Sequence, residues 1–143
     1  MAENGAQKTY TVNVTEPAAN QAVNMIESVT LNTDSHILTV PTSYETAAEA
    51  VNNAVKITMT TDETQAYKLA VTTKTVNGGV HAYGAIQGYG DKAAALACAL
   101  DKDDAANTLN GTHDFTTVGE GYYVVIMTEV NGDVAYHAYY FGK

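Results

Sequence analysis

The side chains with which this chain could build a nucleophile or a metal centre are few. They are His36, His81, His113 and His137, the single cysteine Cys98, and the serines Ser28, Ser35 and Ser43. No histidine has a second His or Cys within metal-ligand spacing, so a zinc or iron site would need distant residues to converge. His113-Asp114 has the composition of an oriented base, yet no serine lies in a Gly-x-Ser-x-Gly elbow. Cys98 sits in an alanine- and leucine-rich stretch rather than the cationic setting that makes a reactive thiolate, and so reads as a small buried hydrophobe. With no nucleophile, base and orienter in adjacent motifs, the expectation is a protein that is not an enzyme, with no cofactor and no metal.

Two further stretches carry possible chemistry. Asp101, Asp103, Asp104, Asn107 and Asn110 could offer oxygen ligands to Ca²⁺, but the run lacks the glycine and terminal glutamate of an EF-hand, which favours a solvated acidic loop. Gly84-x-x-x-Gly88-x-Gly90 follows a strand-like run and opens a helix-like one, the setting of a phosphate loop. It lacks the Gly-Lys-Ser/Thr ending, and glycines that bend a strand into a helix account for it. Asn13-Val14-Thr15 and Asn110-Gly111-Thr112 match the glycosylation sequon, which matters only in a secreted eukaryotic protein.

Strand patterns recur throughout. Residues 9–14 alternate, with Tyr10, Val12 and Val14 on one face. Runs 25–32 and 36–40 are rich in β-formers and separated by the turn-like Asn32-Thr33-Asp34-Ser35, and Pro41 stops the second. Residues 55–60 alternate again, ahead of a turn at Asp62-Glu63. Alanines at helical spacing predict one short helix within 45–54 and another within 91–100.

Two Asn-Gly pairs fix the register of two expected hairpins, since both residues of a type I′ turn take positive φ. Asn77-Gly78 pairs Thr75 with Val80, Thr73 with Ala82, Val71 with Gly84 and Leu69 with Ile86, giving a ribbon with one apolar and one polar face. Asn131-Gly132 pairs Tyr122 with Phe141, Val124 with Tyr139 and Ile126 with His137; the opposite face pairs Tyr123 with Tyr140, Val125 with Ala138 and Met127 with Tyr136. Both faces of this second hairpin are apolar or aromatic, so it is either covered on both sides or presents tyrosines to a partner. Its candidate interface is Tyr123, Tyr136 and Tyr140, or Tyr122, His137 and Tyr139 if the faces are reversed, and self-association or docking on an assembly is expected through it. The phrases around the two turns look alike, but the second is longer and a strict repeat fails.

At 143 residues the chain has the length of one domain, 1–143. Sixteen acids against seven basic residues, all lysine, leave a net charge of -9, which repels nucleic acid and anionic membrane surfaces. No apolar run is long enough for a membrane span, so no membrane insertion is expected. The opening Met1-Ala-Glu-Asn-Gly has no basic or apolar region, and no signal peptide is expected there. Only 16% of residues are charged, and ten tyrosines stand against two phenylalanines. Thr-, Asn- and Tyr-rich surfaces of low charge are associated with cell surfaces and virus particles.

Gly119-Glu-Gly-Tyr-Tyr-Val-Val-Ile-Met-Thr128, followed by the Asn-Gly turn and residues 134–141, resembles the last two strands of an immunoglobulin-like domain. The resemblance covers about the last quarter of the chain, implies a corner role for Tyr122 or Tyr123, and lacks the cysteine pair and core tryptophan of antibody domains. It implies a module of the type found on bacterial surface proteins and in phage particles. The expected fold is an all-β antiparallel immunoglobulin-like sandwich of about eight or nine strands with two short helices in connections. The expected function is a non-enzymatic structural subunit of an extracellular assembly, a phage virion accessory such as a capsid decoration or fibre protein. The alternatives are a bacterial cell-surface adhesion or pilus module, and a small acidic cytosolic binding or inhibitor protein.

Overall fold

The computed structural model describes residues 20–31, 36–58, 65–75, 81–104 and 107–142. The expected strand at 9–14, the turns at Asn32-Thr33-Asp34-Ser35, Asp62-Glu63 and Asn77-Gly78, and the sequon at Asn13 lie outside these residues. Nine strands, two short α-helices and one 3-10 turn at Lys102–Asp104 are found among the described residues. In order the strands and α-helices are β1 (Ile26–Leu31), β2 (His36–Leu38), α1 (Ala47–Asn52), β3 (Val55–Thr58), β4 (Gln65–Thr73), β5 (Tyr83–Tyr89), α2 (Lys92–Leu96), β6 (Asn107–Thr108), β7 (Gly111–Val118), β8 (Tyr122–Val130) and β9 (Asp133–Gly142). The fold is all-β in its framework, as the alternating runs predict.

The strands form two sheets, ordered β2-β1-β4-β7 and β3-β9-β8-β5-β6. Each sheet turns an apolar face inward, and the two faces share one core. Ile26, Val29 and Leu31 of β1 with Tyr67, Leu69 and Val71 of β4 meet Val124 and Ile126 of β8 and Tyr139 and Phe141 of β9. β3 runs parallel to β9 along the edge of the second sheet, with Val55 opposite Tyr139 and Ile57 opposite Phe141.

The β8–β9 hairpin has the register that its turn dictates. All nine pairs from Tyr122↔Phe141 to Val130↔Asp133 form, and Asn131 and Gly132 hold φ of 52° and 89°. Its outer face, carrying Tyr123, Val125, Met127, Tyr136 and Ala138, is covered by α1 and α2 through Ala47, Ala50, Val51 and Ala95. Alanines let both helices lie close to the sheet. Thr46 caps α1, accepting from the Glu49 N–H at 3.1 Å, and Asp91 caps α2, accepting from the Ala94 N–H at 2.8 Å. Within the two alanine-rich stretches the helices cover six and five residues.

The first expected hairpin does not form as a ribbon. β4 and β5 lie in different sheets, and among the described residues only the bridge Thr75↔His81 joins the segments that follow and precede them, so the pairings Thr73–Ala82, Val71–Gly84 and Leu69–Ile86 do not form. Leu69 and Ile86 instead contribute to the same core from opposite sheets. Two apolar faces bury each other more completely across a sandwich than side by side in one ribbon, and this outweighs the local turn preference.

Candidate functional site

The residues that sequence reasoning singled out fall into the interior. Tyr139 and His137 are fully buried, Tyr123 and Tyr136 are nearly so, and Tyr122 and Tyr140 are half-buried. Tyr122 packs edge-on against Phe115 and Phe141 inside the sandwich. Tyr123 lies 4.9 Å from Tyr140, centroid to centroid, beneath the helix layer. The hydroxyls of Tyr136 and Tyr139 donate to the carbonyls of Leu100 (2.6 Å) and Thr39 (2.8 Å). Burial pushes up the pKa of all four of Tyr122, Tyr123, Tyr136 and Tyr139, holding their hydroxyls neutral. Neither face of the hairpin is open: the chain's own helices cover Tyr123 and Tyr136, with Tyr140 at their margin, and Tyr122, His137 and Tyr139 face the interior of the sandwich.

The other candidates are dispersed. His113 and Asp114 are neighbours on β7 and point to opposite faces; the His113 ring reaches the Leu109 carbonyl at 3.4 Å. His81 Nδ1 contacts the Thr73 carbonyl at 2.8 Å. The acidic run ties up its own backbone: Asp101 accepts from the Asp103 N–H, and Asp104 accepts from the Asp101 N–H. Asn110 turns away to accept from the Thr73 N–H at 3.2 Å. Among the described residues no three His, Cys, Asp or Glu side chains converge as metal ligands. Gly84 and Gly88 lie within β5, and Gly90 leads into the cap of α2. Cys98 is half-buried beside the Tyr89 hydroxyl, whose pKa is pushed up by burial and by that contact.

One arrangement was invisible in the motifs. The chain from β2 to α1 runs antiparallel to β9 at Tyr44, which exchanges two backbone hydrogen bonds with Tyr136. This brings Ser43 Oγ to 3.4 Å from His137 Nδ1, 94 residues further along the sequence. Ser43 Oγ also accepts from the Asn24 N–H at 2.9 Å, in a turn where Asn24 takes φ of 61°. On its other side His137 Nε2 lies 3.1 Å from Thr128 Oγ1, which reaches the Ala22 carbonyl at 3.0 Å. Burial lowers the His137 pKa to about 4, against a smaller opposing pull from a Pro41 backbone bond.

These groups floor a cleft of about 310 Å³ lined by Asn24, Ile26, Glu27, Val40, Pro41, Ser43, Lys74 and His137. A Ser-His pair has the residue types of an acyl-transfer dyad. A working pair, however, sets a carboxylate behind the imidazole to stabilise the cation that forms. Here a neutral hydroxyl occupies that place, and the ring is buried where a cation is costly. The long Ser43–His137 contact fits a structural pin: it ties the turn at 21–24 and the segment at 39–44 to the hairpin.

No family model, curated protein or solved structure matches this chain.

Proposed function

We propose that this chain is an immunoglobulin-like, non-enzymatic structural module of an extracellular assembly, a phage virion accessory subunit. The observation that carries the reading is the strand order. β4 and β7 pair in one sheet, β5, β8 and β9 follow one another in the other, and β3 runs parallel beside the last strand. Immunoglobulin-type sandwiches divide their strands ABED and CFG in a Greek key, and β1-β4-β7 beside β5-β8-β9 supports the likeness, though among the described residues no strand flanks β7 where D would lie. The low charge and the Thr-, Asn- and Tyr-rich composition support a surface or particle setting. The neutral hydroxyl behind His137 supports a non-catalytic role. Among the described residues no helix is long and apolar enough to cross a membrane.

With the tyrosine face covered, contacts to neighbouring subunits fall to the sheet edges. Ile37 on the outer strand β2 is 84% exposed and is the apolar side chain such a contact would cover. Immunogold labelling with antibodies to this protein, on particles and cells from its source culture, tests the proposal. Label on released particles supports it. Label confined to the cell envelope favours the adhesion or pilus module instead, and label confined to the cytosol overturns both.

A further inference from the structure

The cleft over Ser43 and His137 has a charge arrangement that the pin does not explain. Lys74 and Glu27 both line it, and among the described residues no ion pair joins either of them to the other or to any other side chain. Two exposed residues of opposite charge therefore border one small cleft. Ile26, Val40, Pro41 and Ser43 line it as well. At about 310 Å³ it has the size of a small-molecule site, not of a protein interface.

We propose that this cleft binds a small zwitterion of the α-amino acid type with a branched aliphatic side chain. The ligand carboxylate pairs with Lys74 and takes a hydrogen bond from Ser43, its primary ammonium pairs with Glu27, and its side chain lies against Ile26, Val40 and Pro41. A ligand with only one of these charges leaves the other protein charge unpaired at the rim. A quaternary ammonium zwitterion fits poorly, because such cations are recognised on aromatic faces and the lining holds no Phe, Tyr or Trp. The site is independent of the assembly role.

Calorimetric titration of the full chain with L-leucine tests the proposal, alongside 3-methylbutylamine, which lacks the carboxylate, and 4-methylpentanoate, which lacks the ammonium. Leucine is expected to bind saturably and more tightly than either analogue, and phosphocholine is expected not to compete with it. Glu27 and Lys74 are both exposed, so Lys74→Met and Glu27→Gln should fold normally. Each should weaken leucine binding by about two- to fivefold, the range for an exposed ion pair. Lys68→Met, outside the cleft, should leave it unchanged. No saturable leucine binding up to its solubility limit, equal binding of leucine and both analogues, or unchanged affinity in both cleft variants would each overturn the proposal.

Discussion

Thr128 and His137 meet hydroxyl to Nε2 at 3.1 Å on the inward face of the hairpin they share, and both are fully buried. With the hydroxyl donating to the Ala22 carbonyl, Nε2 carries the hydrogen and donates to Thr128 Oγ1, leaving Nδ1 to accept from Ser43, so one neutral form of the ring satisfies every neighbour. Thr128→Val keeps the shape and removes the hydroxyl, leaving a ring nitrogen and a carbonyl unpaired. A loss of roughly 1–3 kcal/mol is expected from urea unfolding. An unchanged midpoint would show that the network contributes nothing.

The same burial sets a pH dependence. The His137 pKa falls from 6.5 to about 4 on folding, so at intermediate pH the unfolded chain binds a proton that the native chain does not. The sign is fixed: this term is absent above the unfolded pKa, and stability is lost as pH falls from about 6.5 toward 4. Between pH 7 and pH 4.5 the loss should be roughly 2–3 kcal/mol. His137→Asn should be less stable at pH 7 yet flatter across that window. A wild-type protein equally stable at pH 7 and 4.5 would contradict the buried neutral ring.

Tyr123 separates a core role from an interface role. At 9% exposure under the helix layer, beside Tyr140, it should behave as a packed side chain. Tyr123→Ala is expected to cost roughly 3–5 kcal/mol, as large-to-small core changes do. A variant that kept its stability and only lost self-association would restore the tyrosine interface that the sequence suggests.

What the sequence made legible follows from how local each signal is. Asn131-Gly132 fixes nine pairs because two strands joined by a two-residue turn have no freedom of register, and the structure forms them all. The same dipeptide at 77–78 misleads because β4 and β5 each find better burial in separate sheets, a choice made by β1, β7 and β8, which are distant in sequence. The two-faced apolar pattern of residues 122–141 correctly demanded a cover. That the cover is α1 and α2, rather than a partner, depends on alanines at 47, 50 and 95 reaching the hairpin. Ser43 and His137 share no motif. The available signal was a lone histidine on an otherwise apolar strand face, which asks for buried polar partners without naming them.

Gly132 tests the turn itself. Its φ is 89° and a Cβ there would meet nothing within 4 Å, so substitution costs backbone energy alone. Gly132→Val is expected to destabilise by roughly 1–3 kcal/mol. Gly119→Val, at a position without positive φ, should cost less. Equal midpoints for the two variants would remove the support that the turn gives to the hairpin register.

Gly88 tests the packing between β5 and the hairpin. It pairs with Val124, and a Cβ at this position would overlap the Tyr122 ring, which lies over the strand. Gly88→Ala must displace that ring from its contacts with Phe115 and Phe141, at a cost of roughly 1–3 kcal/mol. Tyr122→Leu empties the same space and is destabilising alone. In the double variant the new methyl occupies part of the room the ring leaves, so the combined loss should fall short of the sum by about 0.5–3 kcal/mol. Gly84 provides the contrast, because a Cβ there meets the Met127 backbone carbonyl, which no side-chain change can move. Gly84→Ala should therefore gain nothing from Tyr122→Leu. Additive losses for Gly88→Ala with Tyr122→Leu, or equal rescue of Gly84→Ala, would show that the ring does not lie over Gly88.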